Sequence, residues 1–401
     1  MTRDFRWLLV GQTTSQFGAQ ISGVAIPLLA VLSLGATPFE LGLVSASSTI
    51  GFVLIGLPAG AWIDRWRRRP VLVASDLVRA GLLASVPVAA LAGVLTLTQL
   101  IVVSLLTGIA RVFFDVGYQS YLPAVIGTDR LLAGNATLET VRASGQIAGP
   151  GVGGWLVSAM GAANVVLVQV VAFVVSAVSL RCIRAEEDVV RRESRGLWIE
   201  ICEGLVYVVR HRVLRAIALT SALNNFAFAV ASAVNLVFLV HTLRLSATWV
   251  GIVLAIGSAS AMLGAALTPR LARALGSERI SWLSLGFAGA FGFLVPLARP
   301  GWSTMLVVIG VAAGETGQIV YAISSVTLRQ RIVPAGLLGR VNATMRFVLM
   351  GLFPVGAVLG GVVGSSLGAR PTLWLSGALI AISWLPLYQV LRDRVRGAAA
   401  W

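Results

Sequence analysis

Apolar stretches of about 20 residues recur twelve times along the chain, and each is long enough to carry an α-helix across the hydrocarbon of a bilayer. They begin near Trp7, Phe39, Pro70, Thr98, Leu132, Ala162, Leu214, Thr248, Ile280, Trp302, Val341 and Pro371. Backbone polar groups in lipid must be satisfied within the segment, so a chain built this way reads as an all-α, twelve-helix membrane protein. With 57% hydrophobic and 12% charged residues, no soluble domain of this size accounts for the apolar surface.

The charge pattern orients the spans. All 31 basic residues are arginine and the formal net charge is +15, yet the arginines sit in short loops and not on one face of a domain, which argues against a nucleic-acid partner. With the N-terminus in the cytoplasm, 24 arginines fall on the cytoplasmic side, three (Arg244, Arg299, Arg370) on the opposite side and four within spans. The expected location is therefore the plasma (inner) membrane, with both termini cytoplasmic. The single long polar segment holds RAEEDVVRRESRG followed by LWIEICEGLVYVVRHR, in which Trp198, Ile201, Leu205 and Val208 recur at helical spacing opposite Glu200 and Glu203. It predicts a helix on the cytoplasmic membrane surface joining two bundles. The expected division is 1–182, a linker at 183–213, and 214–401.

The two halves repeat. Residues 135–162 set against 342–369 give ten identities in 28 pairs, including Gly149 with Gly356, Gly153 with Gly360, Gly154 with Gly361 and Gly161 with Gly368. Small residues at this density mark helices whose backbones approach closely. An even number of spans per half makes the repeat parallel, about a pseudo-two-fold axis along the membrane normal, as in transporters whose halves rock around a central site.

Ionisable residues inside spans are default candidates for the site. Glu315 lies mid-span with no arginine nearby in its own stretch, and Gln318, Tyr321 and Ser324 follow near one helical face; it is the expected proton carrier. Arg111 and Asp115 are four apart and can pair, with Tyr118 and Gln119 continuing the region; Asp115 reads as a paired structural group. Glu139, Arg142 and Arg346 read as gating or structural pairs. Cys182 and Cys202 support neither a disulfide framework nor a metal site, and no cofactor is expected. Without lysine there is no Walker-type phosphate loop, and no constellation of His, Cys or clustered carboxylates points to an enzyme.

Three motifs carry a resemblance to a known family. The loop Gly60-Ala-Trp-Ile-Asp64-Arg65-Trp-Arg67-Arg68-Arg69-Pro-Val-Leu72 is similar to the signature loop of the major facilitator superfamily, with Arg67 where the family has its second glycine. Gly145-x-x-x-Gly149-Pro150-x-x-Gly153-Gly154 resembles the family's antiporter motif, with Ala136 in place of an upstream glycine, and Arg111 matches its intramembrane arginine. The opening FRWLLVGQTTSQFGAQISGVAIPLL, the pair Asp76 and Arg79, and LLGRVNATMRF resemble the drug-proton antiporter branch that includes macrolide-efflux proteins and the enterobactin exporter. The resemblance implies two pseudo-symmetric six-helix bundles with a cavity lined by the first, fourth, seventh and tenth spans, which adds Gln12, Gln16, Asn224, Asn225 and Asn235. It also implies a monomeric secondary exporter of a small amphipathic compound, a drug or secreted metabolite, driven by protons. A siderophore exporter, an uptake symporter or facilitator, and a lipid flippase stay open beside it. The fifth span, with Pro150, is the expected pivot or seal; the eleventh, with Ala357 opposite that proline, is expected to be a close-packed wall.

Overall fold

A computed structural model describes residues 3–126, 131–184 and 197–398. These residues are almost entirely helical, and they fall into two compact units. The first comprises Met1–Ser194 with Leu245–Ala255, the second Arg195–Arg244 with Ile256–Trp401.

In the first unit the helices are α1 (Arg3–Leu32), α2 (Pro38–Arg65), α3 (Arg68–Leu91), α4 (Leu97–Ile126), α5 (Leu131–Met160) and α6 (Ala162–Cys182). The second holds α7 (Leu197–Arg210), α8 (Arg212–Val237, continuing through a π-turn to Thr242), α10 (Ser277–Gly292), α11 (Leu294–Leu297), α12 (Met305–Ile332), α13 (Ala335–Leu367), α14 (Ala369–Ser383) and α15 (Leu385–Ala398). The division runs through α9 (Ala247–Leu275). Eleven helices among the described residues are long and apolar enough to cross a membrane. The expected fifth span, α5, has the length at 30 residues but stands outside that set, because glycine, serine, glutamine and alanine fill it where leucine and valine fill the others.

Local chemistry sets the boundaries. Thr37 and Glu40 form a capping box at the start of α2, with Thr37 N donating to Glu40 Oε2 at 2.8 Å and Pro38 in the first turn. Gly161 and Gly368, an identical pair of the repeat, each precede a helix with φ of 82° and 92°. That left-handed conformation is open to glycine without steric cost, so the repeat preserves the same tight link between the fifth and sixth spans of each unit.

Packing within each unit follows one plan. The first span lies on the fifth and sixth (α1 on α5 and α6; α8 on α13 and α14), and the third on the fourth and sixth (α3 on α4 and α6; α10 on α12 and α14). Glycines set the closest approaches. A Cβ on Gly153 would sit 2.8 Å from the Ile21 carbonyl oxygen of α1, and one on Gly360 would sit 2.5 Å from the Val230 carbonyl oxygen of α8. Gly108 of α4 faces the Ser48 carbonyl of α2, and Gly264 of α9 faces the Thr316 carbonyl of α12. Without a hydrophobic drive between helices in lipid, this backbone proximity supplies dispersion contacts that larger residues would prevent. The outward faces carry exposed Val171, Val178, Leu263 and Leu359, as helices solvated by acyl chains require. Pro354 lies inside α13, three residues before the position matching Pro150, so both repeat helices contain an interruption of the backbone ladder.

A helix, α7, forms where the sequence predicts one, although its buried face differs from the one the spacing predicts. Gly204 brings its backbone onto α13, within 2.8 Å of the Arg340 carbonyl from a would-be Cβ, so Val208 is buried while Leu205 stays exposed. The side chains of Trp198, Glu200 and Ile201 lie outside the described set. Arg340 and Glu203 form an ion pair across this contact, with side chains 31% and 50% exposed. Solvent screening makes such a pair worth less than about 1 kcal/mol, so Arg340→Ala is expected to shift the melting temperature by no more than a few degrees.

Candidate functional site

In the second unit α8 and α12 bring together residues about a hundred positions apart. Asn224 Nδ2 donates to Gln318 Oε1 at 2.6 Å, and Gln318 Nε2 donates back to Asn224 Oδ1 at 2.9 Å. One turn along each helix, Ser221 Oγ and Tyr321 OH are 2.5 Å apart, with Tyr321 OH also 3.4 Å from the Ile217 carbonyl. Asn225 instead holds α13, donating to the Leu349 carbonyl at 2.9 Å. Glu315 lies one turn before Gln318 on α12, half-buried, with its Cγ 3.3 Å from where a Cβ on Gly257 of α9 would sit. Asn235 is half-buried near the far end of α8, apart from these bonds.

The reciprocal amide pair satisfies two donors and two acceptors in one planar contact, which fixes the rotation of α12 against α8. Gln318→Leu leaves the Asn224 amide with neither bond and is expected to destabilise the protein by about 1–3 kcal/mol. Thermal unfolding of Gln318→Leu beside Asn224→Leu/Gln318→Leu measures this, and the double variant is expected to recover part of the loss.

In the first unit Arg111 Nε and Asp115 Oδ2 are 3.5 Å apart on α4, with side chains 63% and 31% exposed. Phe114, between them, stacks on Tyr118 at 6.0 Å. Gln12 is buried and Gln16 half-buried on α1; the side chain of Gln119 lies outside the described set. A pair noted in the sequence only through resemblance proves central: Asp76 and Arg79 on α3 form a fully buried salt bridge. The guanidinium lies between the rings of Phe114 on α4 and Phe173 on α6, 4.4 and 4.2 Å from their centroids. The signal in the sequence is an acid and an arginine three apart in an apolar helix, a spacing that lets them pair.

The conformational motifs divide. Arg69 Nε donates to the Leu180 carbonyl at 3.0 Å and its Nη2 to the Arg181 carbonyl, so it closes the C-terminus of α6, where unsatisfied carbonyls favour a cation. Arg68 is half-buried in the first turn of α3; Gly60 lies near the end of α2, and the side chains of Asp64 and Arg65 lie outside the described set. On α5, Gly145 and Gly149 pack on Gln16 and Gln20 of α1, while Gly154 turns to the first turns of α9. A Cβ on Gly154 would lie 2.4 Å from the Ala247 carbonyl oxygen, and one on Gly251 would lie 2.5 Å from the Pro150 carbonyl oxygen. Thr248 Oγ1 donates to Ser158 Oγ at 2.8 Å in the same contact. Arg142 and Arg346 are exposed on α5 and α13, and the side chain of Glu139 lies outside the described set. Among the described residues no group of three His, Cys, Asp or Glu is placed to hold a metal ion.

Polar and ionisable residues inside spans are candidates for lining a solute pathway through a membrane. The sequence profile of the Major Facilitator Superfamily matches residues 8–354. The chain belongs to the Major Facilitator Superfamily. Like other members of the superfamily it is a multi-pass membrane transporter of small molecules embedded in the lipid bilayer. It is 28% identical to the multidrug efflux pump Tap of Mycolicibacterium fortuitum over 91% of this chain and 90% of that protein. It is 25% identical to the MFS-type transporter YfiS of Bacillus subtilis over 93% and 89%. Among solved structures, a bacterial homologue of the iron transporter ferroportin in its inward-facing state superposes with a TM-score of 0.79 at 17% identity, covering 96% of this chain and 98% of that one. The nucleoside transporter NupG gives a TM-score of 0.78 at 13% identity, covering 96% and 99%. At these identities the two structures speak for the superfamily fold alone.

Proposed function

We propose that this transporter is a secondary active exporter of a small amphipathic compound, exchanging it for protons by alternating access. The observation that supports this reading most is the likeness to multidrug efflux pumps along nine tenths of both chains. The motif at Gly145, Gly149, Pro150, Gly153 and Gly154 on α5 supports the antiport direction, and Glu315 offers a carboxyl at mid-span. On this reading the protein lies in the inner membrane as a monomer with both termini in the cytoplasm. Residues 1–182 and 214–401 form the two bundles, and 183–213 connects them. Substrate binding and protonation oppose each other through their differential affinity for the same states, which couples the two fluxes.

The test is uptake of ethidium, an amphipathic cation, into liposomes carrying the purified protein. Accumulation is expected when the lumen is acidic and is expected to vanish when an ionophore collapses the pH gradient. Accumulation that survives the ionophore, or that requires a lumen more alkaline than the bath, removes proton antiport.

A further inference from the structure

We propose that the elbow between α7 and α8 is a binding site for an anionic phospholipid, with its headgroup on Arg210, Arg212 and Arg215 and its acyl chains along the outer stripe of α7.

The packing of α7 fixes its depth. It ends at Arg210, and α8, whose membrane-length stretch starts at Arg212, follows after His211 alone. His211 Nδ1 accepts from Leu214 N at 3.4 Å, which satisfies a backbone donor in the first turn of α8 and makes the junction a defined corner. On the inner side of α7, Gly204 lies against the Arg340 carbonyl, where the membrane-length stretch of α13 starts. Val208 is buried in one cluster with Val213 and Leu214 of α8 and Val341 and Met345 of α13. The helix therefore sits level with the first turns of two spans, which in a bilayer is the boundary between headgroups and acyl chains.

At that level its outer face is apolar. Cys202, Leu205, Val206 and Val209 recur at i, i+3, i+4 and i+7, one face of a helix, and all four are exposed. Leu205, Val206 and Val209 are 45%, 45% and 51% exposed, and Leu219 on the outer face of α8 is 51% exposed. In water such a stripe bears the cost of hydrating apolar surface; against acyl chains that cost disappears.

The charges beside the stripe have one sign. Arg210 is the last residue of α7, Arg212 and Arg215 stand in the first turn of α8, and all three are exposed. Arg212, Arg215 and Leu219 fall at i, i+3 and i+7, so these two arginines share the face of α8 that turns Leu219 outward. Arg215 Nη1 donates to the Val209 carbonyl at 3.4 Å, which holds that guanidinium over the end of the stripe. The sequence contains no acid between Glu203 and Glu278, and Glu203 already has Arg340 as its partner. A phosphodiester brings the charge this corner lacks, and guanidinium forks match its oxygens. A soluble anion would leave the stripe uncovered, and a zwitterionic lipid would leave the arginines without a net counter-charge. An anionic phospholipid answers both.

Cys202 supplies the reporter, because it lies on the stripe itself and Cys182→Ala leaves it the one thiol of the chain. The protein, labelled there with bimane, is placed in phosphatidylcholine vesicles holding a minor fraction of lipid with a nitroxide near the top of one acyl chain. That lipid is either phosphatidylglycerol or phosphatidylcholine. Both are expected to quench the fluorophore, and phosphatidylglycerol by at least about twofold more, since each arginine near an anionic headgroup contributes up to about fivefold in local enrichment. Arg210→Gln/Arg212→Gln/Arg215→Gln is expected to keep the quenching by phosphatidylcholine and lose the excess, whereas lysine at the same three positions is expected to retain most of it. Absence of quenching by either lipid means that water or a second copy of this chain covers the stripe, and overturns the proposal. Equal quenching by the two lipids in the wild type, or an excess that survives in the triple glutamine variant, overturns it as well. If that variant fails to fold, the wild type in rising salt decides: an excess that falls as the charges are screened supports the site, and one indifferent to salt removes it.

Discussion

Glu315→Gln is expected to abolish proton-driven accumulation while leaving exchange of substrate for substrate intact. With one proton exchanged per substrate, a gradient of one pH unit stores about 1.4 kcal/mol and sustains about tenfold accumulation. The variant is expected to equilibrate at a ratio of about one. Glutamine keeps the shape of the side chain beside Gly257 and removes only the titration, so counterflow at the wild-type rate separates lost coupling from lost folding. Charge supports the choice of Glu315 over its neighbours: Asn224, Gln318, Ser221 and Tyr321 are bonded to one another, and α12 reaches its arginines, Arg329 and Arg331, only in its last turn. Accumulation of tenfold in the Glu315→Gln protein would move the coupling to another carboxyl.

The second large effect is expected where α5 meets α9. In Gly154→Val the new Cβ would fall 2.4 Å from the Ala247 carbonyl oxygen and 2.8 Å from Gly251 Cα, and neither backbone atom can move without its helix. Overpacking of this kind costs about 1–3 kcal/mol in a soluble core, and here it also pushes apart two spans joined by the Ser158–Thr248 hydrogen bond. Transport is expected to fall by about tenfold or more. Gly151→Ala is the matched control, because its Cβ would meet only Ala255 Cβ at 3.5 Å, an ordinary contact, and transport is expected near wild type. Gly251→Val opens the same contact from the other side, so Gly154→Val with Gly251→Val is expected to be clearly less than additive. Wild-type transport in Gly154→Val would remove the fifth span from the role of pivot or seal.

Much of the architecture is legible before any coordinates. Hydrophobic runs of membrane length give the spans, because lipid tolerates no unsatisfied backbone and each helix must complete its own ladder. The repeat from Asn135 and Asn342 already pairs Gly161 with Gly368, and both adopt the left-handed link that made glycine necessary. The fifth span is faint by hydropathy for the reason that makes it important: small residues lower its apolarity and let α1 and α9 approach its backbone.

The site was legible in its parts and not in its pairings. Glu315, Gln318 and Tyr321 stand out as polar residues on an apolar helix, and Asn224 and Asn225 as neighbours on another. Only the rotation of α8 shows that Asn224 meets Gln318 on α12 while Asn225 turns to Leu349 on α13. Asp76 and Arg79 enter the sequence reading only through a resemblance; that they pair inside the bundle, and that Phe114 and Phe173 enclose the guanidinium, depends on how α4 and α6 settle against α3. Sequence alone fixed which segments cross the membrane, which half repeats which, and which residues are too polar to face lipid. Tertiary structure decided which of those residues touch, because register and rotation between helices are set by backbone-to-backbone contacts at glycines such as Gly153, Gly154 and Gly360, and the partner across such a contact has no periodicity of its own to announce it.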